Sequence, residues 1–101
     1  MLCEFSISPI TSGESLSEAV AQIIDLIDKS GISYQTHAFG TLVEGDWETI
    51  MTLIKKCHNT MRSYHPRVIT TIRIDDREGA DNRLTGKIES IEKRLGRQIH
   101  K

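Results

Sequence analysis

The chain has 101 residues, with 13 basic and 14 acidic side chains and a formal net charge of -1. That length suits one domain around one core over residues 1–101, and the balanced charge leaves no electrostatic footprint for nucleic acid or an anionic membrane. No apolar run approaches the ~20 residues needed to span a bilayer, and the opening Met1-Leu-Cys-Glu-Phe-Ser6 lacks the basic start and long apolar stretch of a secretory signal.

The first strand is predicted over Leu2 to Pro9, where Cys3, Phe5 and Ile7 alternate with Glu4, Ser6 and Ser8. One face is therefore buried and the other polar, which suits an antiparallel sheet. Ile10 to Glu14 reads as a loop. A helix follows from Leu16 to Ser30, opened by the capping-box pair Ser15 and Glu18. It carries an apolar stripe of Leu16, Ala19, Val20, Ile23, Ile24 and Ile27. Gly31 stands just beyond its last turn, where a left-handed stop is expected.

Ile32 to Ala38 is a weaker strand, with Tyr34, Thr36 and Ala38 on one face and Ser33, Gln35 and His37 on the other. Phe39-Gly40 turns the chain into Thr41 to Glu44, so the two strands form a hairpin. Gly45 then ends the strand and Asp46 caps the next helix. That helix spans Trp47 to Tyr64, with Ile50, Leu53, Ile54, Cys57, Met61 and Tyr64 on its apolar face and Trp47, Met51 and His58 on the flank. His65-Pro66 stops it. The fourth strand, Arg67 to Asp75, is rich in β-branched residues. A charged loop over Asp75 to Asn82 follows. Leu84, Ile88, Ile91 and Leu95 then mark a closing helix with a narrow apolar seam.

Strand, helix, strand, strand, helix, strand is the order of a ferredoxin-like α+β sandwich: a four-stranded antiparallel sheet with two helices on one face. Cys3, Phe5, Ile7, Val68, Ile72 and Ile74 are expected to meet the helices. Glu4, Ser6, Ser8, Thr71 and Arg73 fall on the other face, which is left for water or for a second copy of the chain.

Chemistry is sparse. Cys3 and Cys57 fit no metal spacing and are expected as buried thiols in a reducing cytoplasm. No histidine pair has the i, i+4 spacing of a zinc site, and no glycine-rich phosphate loop or nucleophile elbow is present. Asp75-Asp-Arg-Glu78 lacks calcium-loop spacing. No metal ligand set and no catalytic set emerges. The one suggestive grouping is Glu44, a carboxylate at a strand end beside the lone tryptophan, Trp47; a solvated charge beside a core aromatic is the plainer reading of the same pair.

Several segments together resemble the small thiamine-binding proteins of ferredoxin-like fold, the YkoF-like group. These are Ser8-Pro-Ile10, Ser30-Gly-Ile-Ser-Tyr34, Gly40-Thr-Leu-Val-Glu-Gly-Asp-Trp47, Lys55-Lys-Cys-His58 and Arg67-Val-Ile-Thr-Thr-Ile-Arg-Ile-Asp-Asp-Arg77, with the closing amphipathic helix. Ala38-Phe39 stands where similar proteins often have Pro-Met. The resemblance implies a non-catalytic cytoplasmic protein, without a cofactor, that binds thiamine or its hydroxymethylpyrimidine part and assembles as a homodimer or homotetramer. For such a ligand, Glu44 is the first candidate to pair with the pyrimidine. Trp47, Tyr34 or Phe39 would stack on a ring, and Thr41 and Ser8 would hydrogen-bond; His37, at the hairpin, completes the candidate set. An acylphosphatase shares the fold but needs an arginine in the loop after the first strand, and Ile10 to Glu14 contains none. A ligand-free interaction module of the same fold is the alternative.

Overall fold

Alternation along the first strand decides which side of the sheet is dry. The computed structural model describes residues 1–10 and 17–79. Within them the elements are β1 (Leu2–Pro9), α1 (Ser17–Lys29), β2 (Ser33–His37), β3 (Gly40–Glu44), α2 (Trp47–Tyr64) and β4 (Val68–Asp75). The capping pair at Ser15, the Ile10 to Glu14 loop beyond its first residue, and the closing helix lie outside the described residues. The strands run in the order β2-β3-β1-β4, each antiparallel to its neighbours. The expected ferredoxin-like arrangement is therefore the one observed, with strand and helix ends within two residues of their predicted positions.

Register carries the alternation across all four strands. Tyr34, Val43, Cys3 and Ile74 lie in one row, as do Thr36, Thr41, Phe5 and Ile72. Both rows point toward the helices, because Cys3, Phe5 and Val43 are buried together with Ala19, Ile23 and Ile27 of α1 and Ile50, Leu53, Ile54, Cys57 and Met61 of α2. Full burial of the Ile, Leu, Val, Phe and Met side chains among them stabilises the fold by about 1.5–3 kcal/mol each, before the entropy of ordering them is counted. Intervening residues, among them Glu4, Ser6, Gln35, His37, Thr71 and Arg73, face the other way. His58 Nδ1 lies 2.6 Å from Thr70 Oγ1 and ties the flank of α2 to β4.

Three residues of the expected apolar faces sit at the rim instead, the first being Val20 of α1, 43% exposed. Ile72 is 41% exposed because β4 is an edge strand of the described sheet and α2 lies mainly over β1. Tyr64, the last residue of α2, is half-exposed, and its hydroxyl accepts from Gln22 Nε2 at 2.5 Å. At the other end of α2, Asp46 accepts from the Thr49 N–H at 2.7 Å. That bond holds the Asp46 carboxyl below its usual range. His65 closes α2 through its own N–H to the Met61 carbonyl. Its ring is buried with neither nitrogen bonded, an arrangement that ordinarily costs about 1–3 kcal/mol.

Two glycines mark the turns that matter. Gly31 ends α1 at φ 76°, as its position implies. Gly40 opens β3 at φ 154°, and a Cβ there would stand 2.6 Å from the Phe5 carbonyl oxygen of β1. Only a residue without a side chain lets the two backbones approach this closely.

Gly40→Ala is accordingly expected to destabilise the domain by roughly 2 kcal/mol or more, combining backbone strain with a steric clash. Urea denaturation measures this, and an unchanged midpoint would show that the contact relaxes freely. Both cysteines are free and buried. Burial pushes the Cys57 thiol up to about 11, and burial, followed by the Glu4 charge, raises that of Cys3. A thiol raised in the folded state favours folding below its unfolded value, near 9, and that contribution disappears as pH rises through the folded value. Stability should thus fall between about pH 9 and 11. An alkylating reagent at about pH 8, below the ordinary thiol range, should modify both thiols only after unfolding; rapid reaction of the native chain would contradict their burial.

Candidate functional site

The residues with chemical potential gather where β1 ends and the β2–β3 hairpin turns. His37 pairs with Gly40, leaving Ala38-Phe39 as a two-residue tip. The Phe39 N–H donates to His37 Nδ1 at 3.1 Å. Phe39 itself is 86% exposed. An aromatic ring so open in a structured tip is available to a ligand or to another chain.

Two clefts meet at this tip. The first, of about 260 Å3, lies between α1 and the hairpin. Its apolar wall comes from Phe5, Ile7, Val20, Ile23, Ile24 and Met61; Thr36 and Thr41 line it from the helix-facing row, and Ser8 and His37 line it from strand positions that alternate to the open face, where the His37 ring meets Glu4. Thr41 is only 6% exposed, so its hydroxyl is carried into the helix-facing layer by the register with Phe5. The second cleft, of about 280 Å3, lies on the open face and is lined by Glu4, Phe5, Ser6, Phe39, Thr71 and Arg73. Phe5, Ser6 and Phe39 belong to both.

Glu4 is the electrostatic centre of the open face. Its Oε1 accepts from Arg73 Nη2 at 2.8 Å, and its Oε2 lies 3.1 Å from His37 Nε2. One carboxylate thus ties β1 to β4 on one side and to β2 on the other. His37 stands opposite Gly40 and reaches Glu4 on the diagonal, since the residue of β3 opposite Glu4 is Leu42. These groups are partly exposed, so the pairing adds little stability on its own. Its effect is to fix the orientation of the three side chains.

The six residues singled out from sequence divide into two groups. Ser8, His37 and Thr41 line the first cleft. Glu44, Trp47 and Tyr34 line neither of these clefts. Glu44 pairs with Leu2 and Ser33, three positions along β3 from Thr41, or about 10 Å away at strand spacing. Trp47 begins α2 on its exposed flank, 54% accessible, and not in the core. Tyr34 donates its hydroxyl to Asp28 Oδ1 at 3.0 Å; that bond raises its phenol above the usual range. Sequence reasoning does not single out Glu4 and Arg73 as a pair. The signal is present, since both sit on the polar face of two strands that the fold makes adjacent. Among the described residues no cluster of three or more His, Cys, Asp or Glu side chains could hold a metal, and no helix is long and apolar enough to cross a membrane.

Comparison with known proteins places this geometry in a family. The model of a family described as thiamine-binding protein matches residues 3–92. A UPF0045 protein of Methanocaldococcus jannaschii is 32% identical over 91 residues, covering 90% of this chain and 91% of its own. A UPF0045 protein of Mycobacterium bovis is 33% identical over 96 residues, 94% of either chain. The crystal structure of a hypothetical protein from M. jannaschii superposes with a TM-score of 0.79 at 32% identity, over 89% of this chain and 93% of that one. A Thermotoga maritima structure named for thiamine biosynthesis or salvage superposes with a TM-score of 0.76, over 89% and 96% of the two chains. At 22% identity its likeness is one of fold.

Proposed function

The chain belongs to the thiamine-binding protein family, and on that premise we propose that it binds thiamine, or the hydroxymethylpyrimidine half of thiamine, in the cleft between α1 and the β2–β3 hairpin. The observation that carries this reading is the make-up of that cleft: an apolar wall with the buried Thr41 inside it and Ser8 among its lining residues. Such a lining is what a flat heteroaromatic ring requires, since its faces need apolar contact and its edge nitrogens need a small number of placed hydrogen-bonding groups. The hydroxyls of Thr41 and Ser8 both donate and accept, which suits an aminopyrimidine edge that presents both functions.

Size points to one ring. At about 260 Å3 the cleft is slightly below the ~300 Å3 at which pockets for larger ligands begin. The pyrimidine would fill it. The cationic thiazolium would then emerge at the tip, where the exposed Phe39 ring offers its negative face and the Glu4 carboxylate lies beyond the shared wall. In this reading the chain binds its ligand without transforming it.

The partner in assembly is another copy of the chain, as a homodimer or homotetramer in the cytoplasm. The open sheet face supports this, because it alternates Glu4 and Arg73 with Ser6, Thr71 and the half-exposed Ile69, a mixture able to pair with itself.

Native mass spectrometry with thiamine, its phosphates and the bare pyrimidine reads ligand and assembly together. A multiple of the 11.4 kDa chain carrying thiamine or the pyrimidine is expected. In calorimetry, Thr41→Val should weaken binding about tenfold, the effect of losing one buried hydrogen bond, while Glu44→Gln should leave affinity unchanged. The reverse pattern would move the ligand to the other end of the sheet. Absence of any adduct would favour a ligand-free interaction module.

A further inference from the structure

We propose that His37 is a positioning residue whose neutral form, with its proton on Nε2, fastens the β2–β3 tip, so that proton uptake on Nδ1 releases Phe39 from its place between the two clefts. A neutral imidazole has one N–H and one bare nitrogen, and the imidazolium has two N–H groups and no acceptor. Here the Phe39 N–H approaches Nδ1 at 3.1 Å and needs a lone pair there. The proton must then sit on Nε2, which lies 3.1 Å from Glu4 Oε2 and donates to it. One tautomer satisfies both contacts. The other would set Nδ1–H against the Phe39 N–H and leave a bare nitrogen facing a carboxylate.

Protonation breaks this arrangement at one end only. The Nε2 contact with Glu4 survives and gains charge, but Nδ1 turns from acceptor into donor and can no longer hold the tip. A proton and the Phe39 amide compete for a single lone pair, so each weakens the other's hold by the same factor.

Among the described residues, the charges that bear on the ring are few. From β1 the Glu4 carboxylate faces it at 3.1 Å. From β4 the Arg73 guanidinium lies 2.8 Å from the same carboxylate. β3 presents Gly40 opposite His37, with no side chain, and the rest of β2, Ser33 to Thr36, is uncharged. These neighbours offer no second acid to rescue the tip bond when Nδ1 is protonated. Phe39 lines both clefts, and His37 lines the first. Resting on the reading that the first cleft takes the pyrimidine, the same release makes ligand capture weaker in acid.

Ring-nitrogen NMR of the full chain without ligand tests the device. At about pH 8, above the ordinary imidazole range, the His37 ring should show the Nε2–H tautomer. As acid titrates that ring, the Phe39 amide should shift with it, and its protection factor, the exchange rate corrected for the intrinsic slowing of exchange in acid, should fall about fivefold, the opening expected when one hydrogen bond is lost. His37→Asn keeps a short-armed acceptor for the Phe39 N–H but does not titrate there, so its Phe39 amide shift and protection factor should stay constant with pH. An Nδ1–H tautomer in the wild type, or a Phe39 amide indifferent to the His37 titration, overturns the proposal. A thiamine titration at about pH 8 and about pH 5.5, on either side of the imidazole range, forms the second arm. Binding that fails at both values while the NMR result holds would remove the ligand reading and leave the His37 device standing.

Discussion

Among the described glycines the tightest constraint is the passage of Gly40 over the Phe5 carbonyl. A single added carbon would meet that oxygen at 2.6 Å, so β3 can lie against β1 only with a bare backbone at this point. Three features surround it. The hairpin turns within two residues, Phe39 stands exposed, and His37, opposite Gly40, extends to Glu4. Both clefts are bounded by the same few residues, Phe5, Ser6 and Phe39. The candidate site is therefore a consequence of one backbone crossing as much as of its side chains.

Around that crossing the sheet is divided into two environments by the period of two. Residues in register with Cys3 and Phe5 enter a dry layer under two helices, and Thr41 brings a hydroxyl into that layer at its edge. Residues in register with Glu4 face outward and form a charged network joining three strands. Phe39 belongs to neither layer and stands where they meet. Contacts at the far end of the sheet are of another kind. There the Gly45 N–H donates to the Met1 carbonyl, and Asp46 closes the first turn of α2. Together they secure the strand-to-helix turn.

Much of this is readable from the chain. Alternation in Leu2 to Pro9 and in Arg67 to Asp75, and the helical stripes at Ala19 to Ile27 and Ile50 to Met61, are local patterns with a direct physical cause. They suffice for the fold and for both faces of the sheet. The two clefts are less readable, because they depend on which strand ends come together. Glu44 and Trp47 attract notice as sequence neighbours, yet the turn at Gly45 sends Trp47 to the outer flank of α2. Tyr34, a candidate for stacking, has its hydroxyl tied to Asp28, six residues earlier on α1. Glu4 and Arg73 are 69 residues apart, and nothing short of the strand register joins them. Ile72 and Tyr64 fit apolar patterns that ignore where a sheet edge or a helix end leaves the core.

The proposed thiamine site stands or falls on where that ligand meets the chain. Backbone amide NMR during a thiamine titration locates that contact most directly. Shifts concentrated in Ser6 to Ser8 and Thr36 to Thr41, with Glu44 to Trp47 unmoved, are the expected result. Shifts centred on Glu44 to Trp47, or none along the chain at millimolar thiamine, would contradict it.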